Sequence, residues 1–256
     1  MSEPKEPGFF KLANRTDNEW QAYLELFAGA NEAHLYVGEG STDYAKTPQY
    51  EGVAERIKSF SPEAKIIYVL RNPWKRTISH YWHTRRPQIT DGQTKNFDAA
   101  FAEFEGYKSF SDYPMQIKPF IDLFGHNNIH FTIFEELIAD PKKELNKIFA
   151  FLGLTAEFDY SVVDDKLNAR PEKVMSATGS GLMHKLSYSG LWSVLATVVP
   201  KSVKSRLRRL AIKEVDPSSQ DRFIDATLQQ QRGVYEDIIK RTSLMLERDM
   251  SDIWKL

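Results

Sequence analysis

The stretch Lys65-Ile66-Ile67-Tyr68-Val69-Leu70-Arg71-Asn72-Pro73-Trp74-Lys75-Arg76-Thr77-Ile78-Ser79-His80-Tyr81 constrains this chain more than any other. Ile66 to Leu70 is an apolar run of strand length, rich in branched residues, as a central parallel strand should be. Pro73 suits the first position of a helix, and Asn72 suits the cap before it. Arg71 therefore stands at the carboxyl end of a strand, beside a helix N-terminus. In open α/β sheets ligands bind at that end, and helix N-termini favour anions. A guanidinium adds a permanently charged fork that matches a phosphate. On the expected helix, Arg76, Ser79 and His83 recur at i, i+3 and i+7 and share one face. Trp74, Ile78, Tyr81 and Trp82 fall largely on another face, suited to packing on the sheet. Two arrangements fit these residues. Arg71 and a hydroxyl two turns into the helix would grip a phosphate from two sides. Alternatively, this is a surface helix with ordinary charges, and Arg71 sits in a salt bridge.

The rest of the chain alternates helix and strand signals. Trp20, Tyr23, Leu24 and Phe27 predict an amphipathic helix over 19–28, and His34 to Gly38 a short strand. Val53, Ile57 and Phe60 face inward on a helix from Tyr50 to Phe60. Phe97 to Phe104 and Ile117 to Phe124 carry further helical stripes, and Ile129 to Phe134 reads as a strand. Asp140-Pro141 opens a helix through Leu152 that stops at Gly153. Strands separated by helices predict an α/β fold with a central parallel sheet flanked by helices. At 256 residues, one domain over 1–256 is expected, with an irregular loop over 155–190. Residues 191–213 place an apolar run before Lys201, Lys204, Arg206, Arg208, Arg209 and Lys213. They fit a packed helix followed by a solvated basic one, or a platform for an anionic glycan or a membrane surface. A last helix is expected from about Ser219 to Leu246.

Composition narrows the partners. The net charge of -1 gives no global pull toward nucleic acid. The absence of cysteine excludes disulfides, thiolate metal sites and a cysteine nucleophile. The polar start Met1-Ser2-Glu3-Pro4-Lys5-Glu6 lacks the apolar stretch of a signal peptide, and no run approaches a membrane span. A cytoplasmic protein without metal is the expectation.

Arg71-Asn72-Pro73, Arg76, Ser79 and Tyr81 match R-[DN]-P-x-x-R-x-x-S-x-Y. This resembles the signature by which sulfotransferases bind the 3′-phosphate of their donor, 3′-phosphoadenosine 5′-phosphosulfate. Lys5-Glu6-Pro7-Gly8-Phe9-Phe10 resembles the K-E-x-x-F-F segment of the heparan-sulfate-type and related bacterial members. Gly38-Glu39-Gly40-Ser41-Thr42-Asp43-Tyr44 resembles their G-E-x-[ST]-x-x-Y strand end. The match is tight over residues 5–86. It is looser beyond, where helix spacing and the closing run Arg248 to Trp254 still look similar to the family.

The resemblance implies a P-loop-NTPase-like sulfotransferase fold and sulfuryl transfer to a hydroxyl, on a carbohydrate or a small metabolite. Arg71 and Ser79 would bind the 3′-phosphate; Arg76 would join them or form a structural ion pair. Glu6 matches the acidic residue proposed as base in the heparan-sulfate-type members, and equally fits a solvated glutamate near a terminus. Glu39 is a second carboxylate, able to serve as base or to orient the acceptor; His80 and His83 rank below. The family also carries an N-terminal strand, a K-x-G-[ST]-[ST] loop and a helix that hold the 5′-phosphosulfate. This chain begins where that unit would end, so the fold is expected with its first βα unit missing. The Gly-rich run Thr178-Gly179-Ser180-Gly181 is the nearest substitute, and fits a flexible loop better. A catalytically impaired nucleotide-binding or scaffolding protein is the alternative. A nucleotide kinase is weaker, for want of a Walker-type lysine loop and an acidic Mg²⁺ site.

Overall fold

The computed structural model describes residues 2, 5–89, 97–155, 160, 174–177, 212–215, 224 and 226–256. In chain order its elements are α1 (Asp17–Glu25), α2 (Val53–Phe60), β1 (Ile66–Leu70), α3 (Pro73–Ile89), α4 (Phe97–Glu103), α5 (Gly106–Ser109), α6 (Tyr113–Phe124), β2 (Ile129–Ile133), α7 (Phe134–Ala139), α8 (Pro141–Leu152), β3 (Val174–Ala177), β4 (Ile212–Val215) and α9 (Arg232–Met245). They fall into two compact units. The first takes Met1–Pro73, Glu105–Val163 and Val234–Leu256; the second takes Trp74–Phe104 and Asp164–Gly233.

In the first unit β1 and β2 pair in parallel, in register from Ile66 opposite Ile129 to Leu70 opposite Ile133. A parallel pair needs a crossover, and the intervening helices supply it. The α/β architecture expected from the alternating pattern is therefore present. Strand side chains alternate between faces. On one face Leu70 and Ile133 pack with Tyr113 and Ile117 of α6, Ile239 of α9, Met250 and Trp254. Full burial of a side chain such as Leu70 contributes about 1.5–3 kcal/mol. Ile129 and the α6 residues Phe120 and Phe124 join a second cluster, with Phe9, Phe10, Tyr23, Val53 and Ala54. On the other face Ile67 and Val69 are 42 % and 50 % exposed, so β1 is half-covered rather than wholly buried.

Local signals set most boundaries. Thr16 caps α1 in a reciprocal capping box with Glu19. Gly52, at φ 71°, turns the chain into α2. Asp140 accepts a hydrogen bond from Lys143 N at 3.0 Å to open α8, and Gly153 closes it at φ 66°.

Three expectations need correction. His34 to Gly38 is not a strand; Leu35, Tyr36 and Val37 lie exposed in irregular backbone. β-propensity expresses packing on a half-buried surface, and these three side chains are exposed. In the second unit, part of the expected loop forms β3, paired antiparallel with β4 at a position read as basic helix. Apart from Thr155 and Tyr160, the remainder of 155–190, with the Gly-rich run at 178–181, and nearly all of 191–213 lie outside the described residues. The expected last helix is interrupted by a turn at Gln230 and Gln231, where Gln231 N donates to Leu228 O at 2.8 Å.

The remaining core of the second unit follows the predicted stripe. Tyr81 meets Phe97 edge-on at 4.9 Å, and Trp82 at 5.3 Å. Trp74, Tyr81 and Trp82 are all buried. Among the described residues, no helix is long and apolar enough to cross a membrane.

Candidate functional site

The end of β1 is built to hold one backbone geometry. The Tyr113 hydroxyl accepts from Arg71 N at 2.9 Å and donates to Arg71 O at 2.6 Å. One buried side chain thus satisfies both backbone groups of Arg71, which the strand ladder no longer reaches. Glu135, at the start of α7, accepts from Asn72 N at 3.0 Å and from Trp254 Nε1 at 3.0 Å. Asn72 Nδ2 donates to Lys255 O at 3.2 Å. Asn72 is 1 % exposed and Trp254 likewise, so this bracing lies in the interior. The Arg71 guanidinium carbon sits 4.9 Å from the centre of the Phe134 ring. Stacking on an aromatic face orients the planar fork without consuming a charge. On α7, Glu136 is bound by both terminal nitrogens of Arg248, at 2.9 Å for Nη1. That pair raises the Arg248 pKa and holds Glu136 below the usual carboxylate range.

Arg76 and Ser79 lie one turn apart on α3, in the second unit. Ser79 and His83 are exposed and Arg76 is partly buried. The face expected to be polar is thus the open one, and the aromatic face is the packed one.

Glu6 lies in the first unit, just after a bend at Lys5. It is exposed, at φ 55°, and Gly8 follows at φ 59°. A left-handed glutamate costs about 1–2 kcal/mol, so neighbouring contacts must hold it. Thr42 Oγ1 donates to Glu6 Oε2 at 3.0 Å. Phe9 and Phe10 anchor the segment: Phe9 stacks on Tyr23 at 4.2 Å, and Phe10 meets Tyr23 edge-on at 5.4 Å. Arg15 donates twice to Phe9 O, at 3.0 and 2.8 Å, and Arg56 Nε donates to Phe10 O at 2.7 Å.

Glu39 is engaged at both carboxylate oxygens. Its two oxygens accept from Tyr23, Tyr44 and Ser41, at 3.1, 2.6 and 3.0 Å. Burial and the adjacent Glu39 charge push the Tyr23 and Tyr44 hydroxyls up, so both remain donors throughout the working pH range. Burial raises Asp43 too, but hydrogen bonds from Lys46 and Lys11 outweigh it and hold the carboxylate low. Among the described residues, no group of three or more His, Asp or Glu could hold a metal ion.

Residues that motif spacing did not reveal are the braces. Tyr113, Glu135 and Tyr23 lie far in sequence from the groups they hold, and a lone Tyr or Glu carries no local signal. Trp254 was legible only as part of the closing run.

These features define an α/β scaffold with a braced arginine at the end of β1. Residues 53–183, more than half of the chain, match the family described as Sulfotransferase domain; the chain belongs to that family. It is similar to heparan sulfate glucosamine 3-O-sulfotransferase 3A1 of Mus musculus, 30% identical over 129 residues, 45% of this chain and 32% of that protein. Sulfotransferase 2B1 of Rattus norvegicus is 33% identical over 97 residues, 37% of this chain and 28% of that protein. The chain spans about a third of the length of these curated relatives. The crystal structure of a sulfotransferase from Alicyclobacillus acidocaldarius shares the fold, with a TM-score of 0.65 at 22% identity. It covers 100% of this chain and 87% of its own.

Proposed function

We propose that this chain moves a sulfuryl group from 3′-phosphoadenosine 5′-phosphosulfate to an acceptor hydroxyl, on a glycan or a small metabolite. The observation that carries the proposal is the Arg71 turn. Its backbone is fixed by Tyr113, Glu135 and Asn72, and its guanidinium stacks on Phe134 beside a helix start. A forked cation on a rigid strand end suits a phosphate. By resemblance to the family motif, Ser79 and Arg76 of α3 are further candidates for phosphate binding; Ser79 is exposed and Arg76 partly buried.

The donor, when bound, supplies a sulfuryl group on its 5′-phosphate. Sulfur–oxygen bond formation at the acceptor accompanies sulfur–oxygen cleavage at that phosphate, in line, with demands similar to phosphoryl transfer. Glu6 takes the proton of the acceptor hydroxyl. Its exposure leaves Oε1 open to an incoming hydroxyl while Thr42 holds Oε2. The glycan acceptor is supported by the heparan sulfate relatives and by the Glu6 segment, and the cytoplasmic location belongs to the same proposal. A panel of glycans and small alcohols, incubated with radiolabelled donor, tests it. Label on an acceptor hydroxyl is expected. Nucleotide binding without transfer to any acceptor would point to a binding module instead.

A further inference from the structure

Glu39 organises the Glu6 segment through two hydroxyl relays. Ser41 Oγ donates to Glu39 Oε2 at 3.0 Å and accepts from Gly8 N at 2.9 Å. Tyr44 Oη donates to Glu39 Oε1 at 2.6 Å and accepts from Phe10 N at 3.2 Å. Each hydroxyl has one proton to give. With that proton directed at Glu39, its lone pairs turn toward the backbone amide. A third donor, Tyr23, packs its ring on Phe9 and reaches the same Oε1. Gly8 and Phe10 lie two and four residues past Glu6, whose backbone occupies a left-handed conformation that its own sequence does not favour. The opposite edge of the segment is held by Arg15 and Arg56 on the carbonyls of Phe9 and Phe10. Both sides of the backbone are therefore fixed, and the amide side depends on a single carboxylate.

We infer that Glu39 is a positioning residue, which sets the direction of the Glu6 carboxylate through Ser41–Gly8 and Tyr44–Phe10. The catalytic half of this inference rests on the proposed role of Glu6; the structural half does not. Glu39 touches no reacting atom. Its effect reaches chemistry only by way of Glu6, and misplacing a base by about 1 Å is enough to cost on the order of 10²-fold in rate.

Amide hydrogen exchange and kinetics on four variants test it. Glu39→Ala should speed exchange at both Gly8 and Phe10. Ser41→Ala should speed it at Gly8 alone, and Tyr44→Phe at Phe10 alone. Glu39→Gln keeps an acceptor oxygen for Tyr44 and loses the one for Ser41, so it should protect Phe10 and release Gly8. In turnover, Glu39→Ala should lower kcat about 10–100-fold with the affinity for 3′-phosphoadenosine 5′-phosphate unchanged within about twofold. Glu39→Gln should recover part of the loss. Adding Glu39→Ala to Glu6→Gln should cost nothing further. Unchanged exchange at both amides would overturn the inference. So would a kcat loss that persists on the Glu6→Gln background, or nucleotide affinity that falls in step with kcat. Full turnover in Glu6→Gln, with the exchange pattern intact, would overturn the base assignment and the catalytic half alone. Should Glu39→Ala not fold, Ser41→Ala and Tyr44→Phe decide the same question.

Discussion

The Arg71 turn and the Glu6 segment belong to the same unit but are held by different means. Arg71 stands on a strand end braced from the interior by Tyr113, Asn72, Glu135 and Trp254, three of them at most 2 % exposed. Glu6 is exposed and left-handed, on a segment held by hydroxyls that converge on Glu39. The first design is rigid because breaking any brace leaves a buried polar group unsatisfied. In the second, the Glu6 carboxylate itself is held near solvent by Thr42 alone among the described residues, while the buried residues that follow it are fixed.

The comparison breaks most visibly at Glu6. Glu6→Gln should lower turnover by about 10²–10⁴-fold, the usual worth of a positioned base, and leave nucleotide binding intact. Steady-state kinetics beside a nucleotide titration measure both. Arg71→Ala should weaken binding of 3′-phosphoadenosine 5′-phosphate by about 10–100-fold, the worth of a charged hydrogen-bonding group. Equal losses of binding in both variants would mean that the two segments do not divide the work.

Tyr113→Phe sharpens the other side. It removes the partner of both Arg71 backbone groups, so urea unfolding should show a loss of about 1–3 kcal/mol, with nucleotide affinity reduced as well. Thr42→Ala, which removes the Glu6 contact, should leave the unfolding midpoint nearly unchanged.

The smallest effect concerns pH. Burial of His130 beneath Phe151 lowers its pKa below the ordinary 6.5, with Lys147 adding to the shift and Glu144 opposing it. The folded protein therefore binds this proton less readily than the unfolded chain. Stability is fully present above about 6.5 and is lost as pH falls through the lower folded value. Urea midpoints between pH 7 and 5 should fall less steeply in His130→Asn than in the parent.

Much of the donor side was legible in sequence because it is local. The Ile66 to Leu70 run, Arg71 and the Pro73 helix start lie within one strand–turn–helix, and short-range rules determine it. The aromatic stripe of α3 and the caps Asp140 and Gly153 were legible for the same reason. The braces were not, because Tyr113 and Glu135 reach Arg71 and Asn72 through tertiary packing. His34 to Gly38 misled because β-propensity describes a half-buried surface that this segment does not meet. Glu39 showed its carboxylate in the sequence but not its three hydroxyl partners, two of which lie within five residues of it.

The 3′-phosphate of the sulfate donor is proposed to bind at the Arg71 turn. Isothermal titration of the chain and of Arg71→Ala should be run with 3′-phosphoadenosine 5′-phosphate and with the same nucleotide lacking its 3′-phosphate. The parent should prefer the 3′-phosphorylated nucleotide, and Arg71→Ala should lose this preference. Equal affinity of the parent for both nucleotides, or a preference that survives in Arg71→Ala, would contradict this assignment.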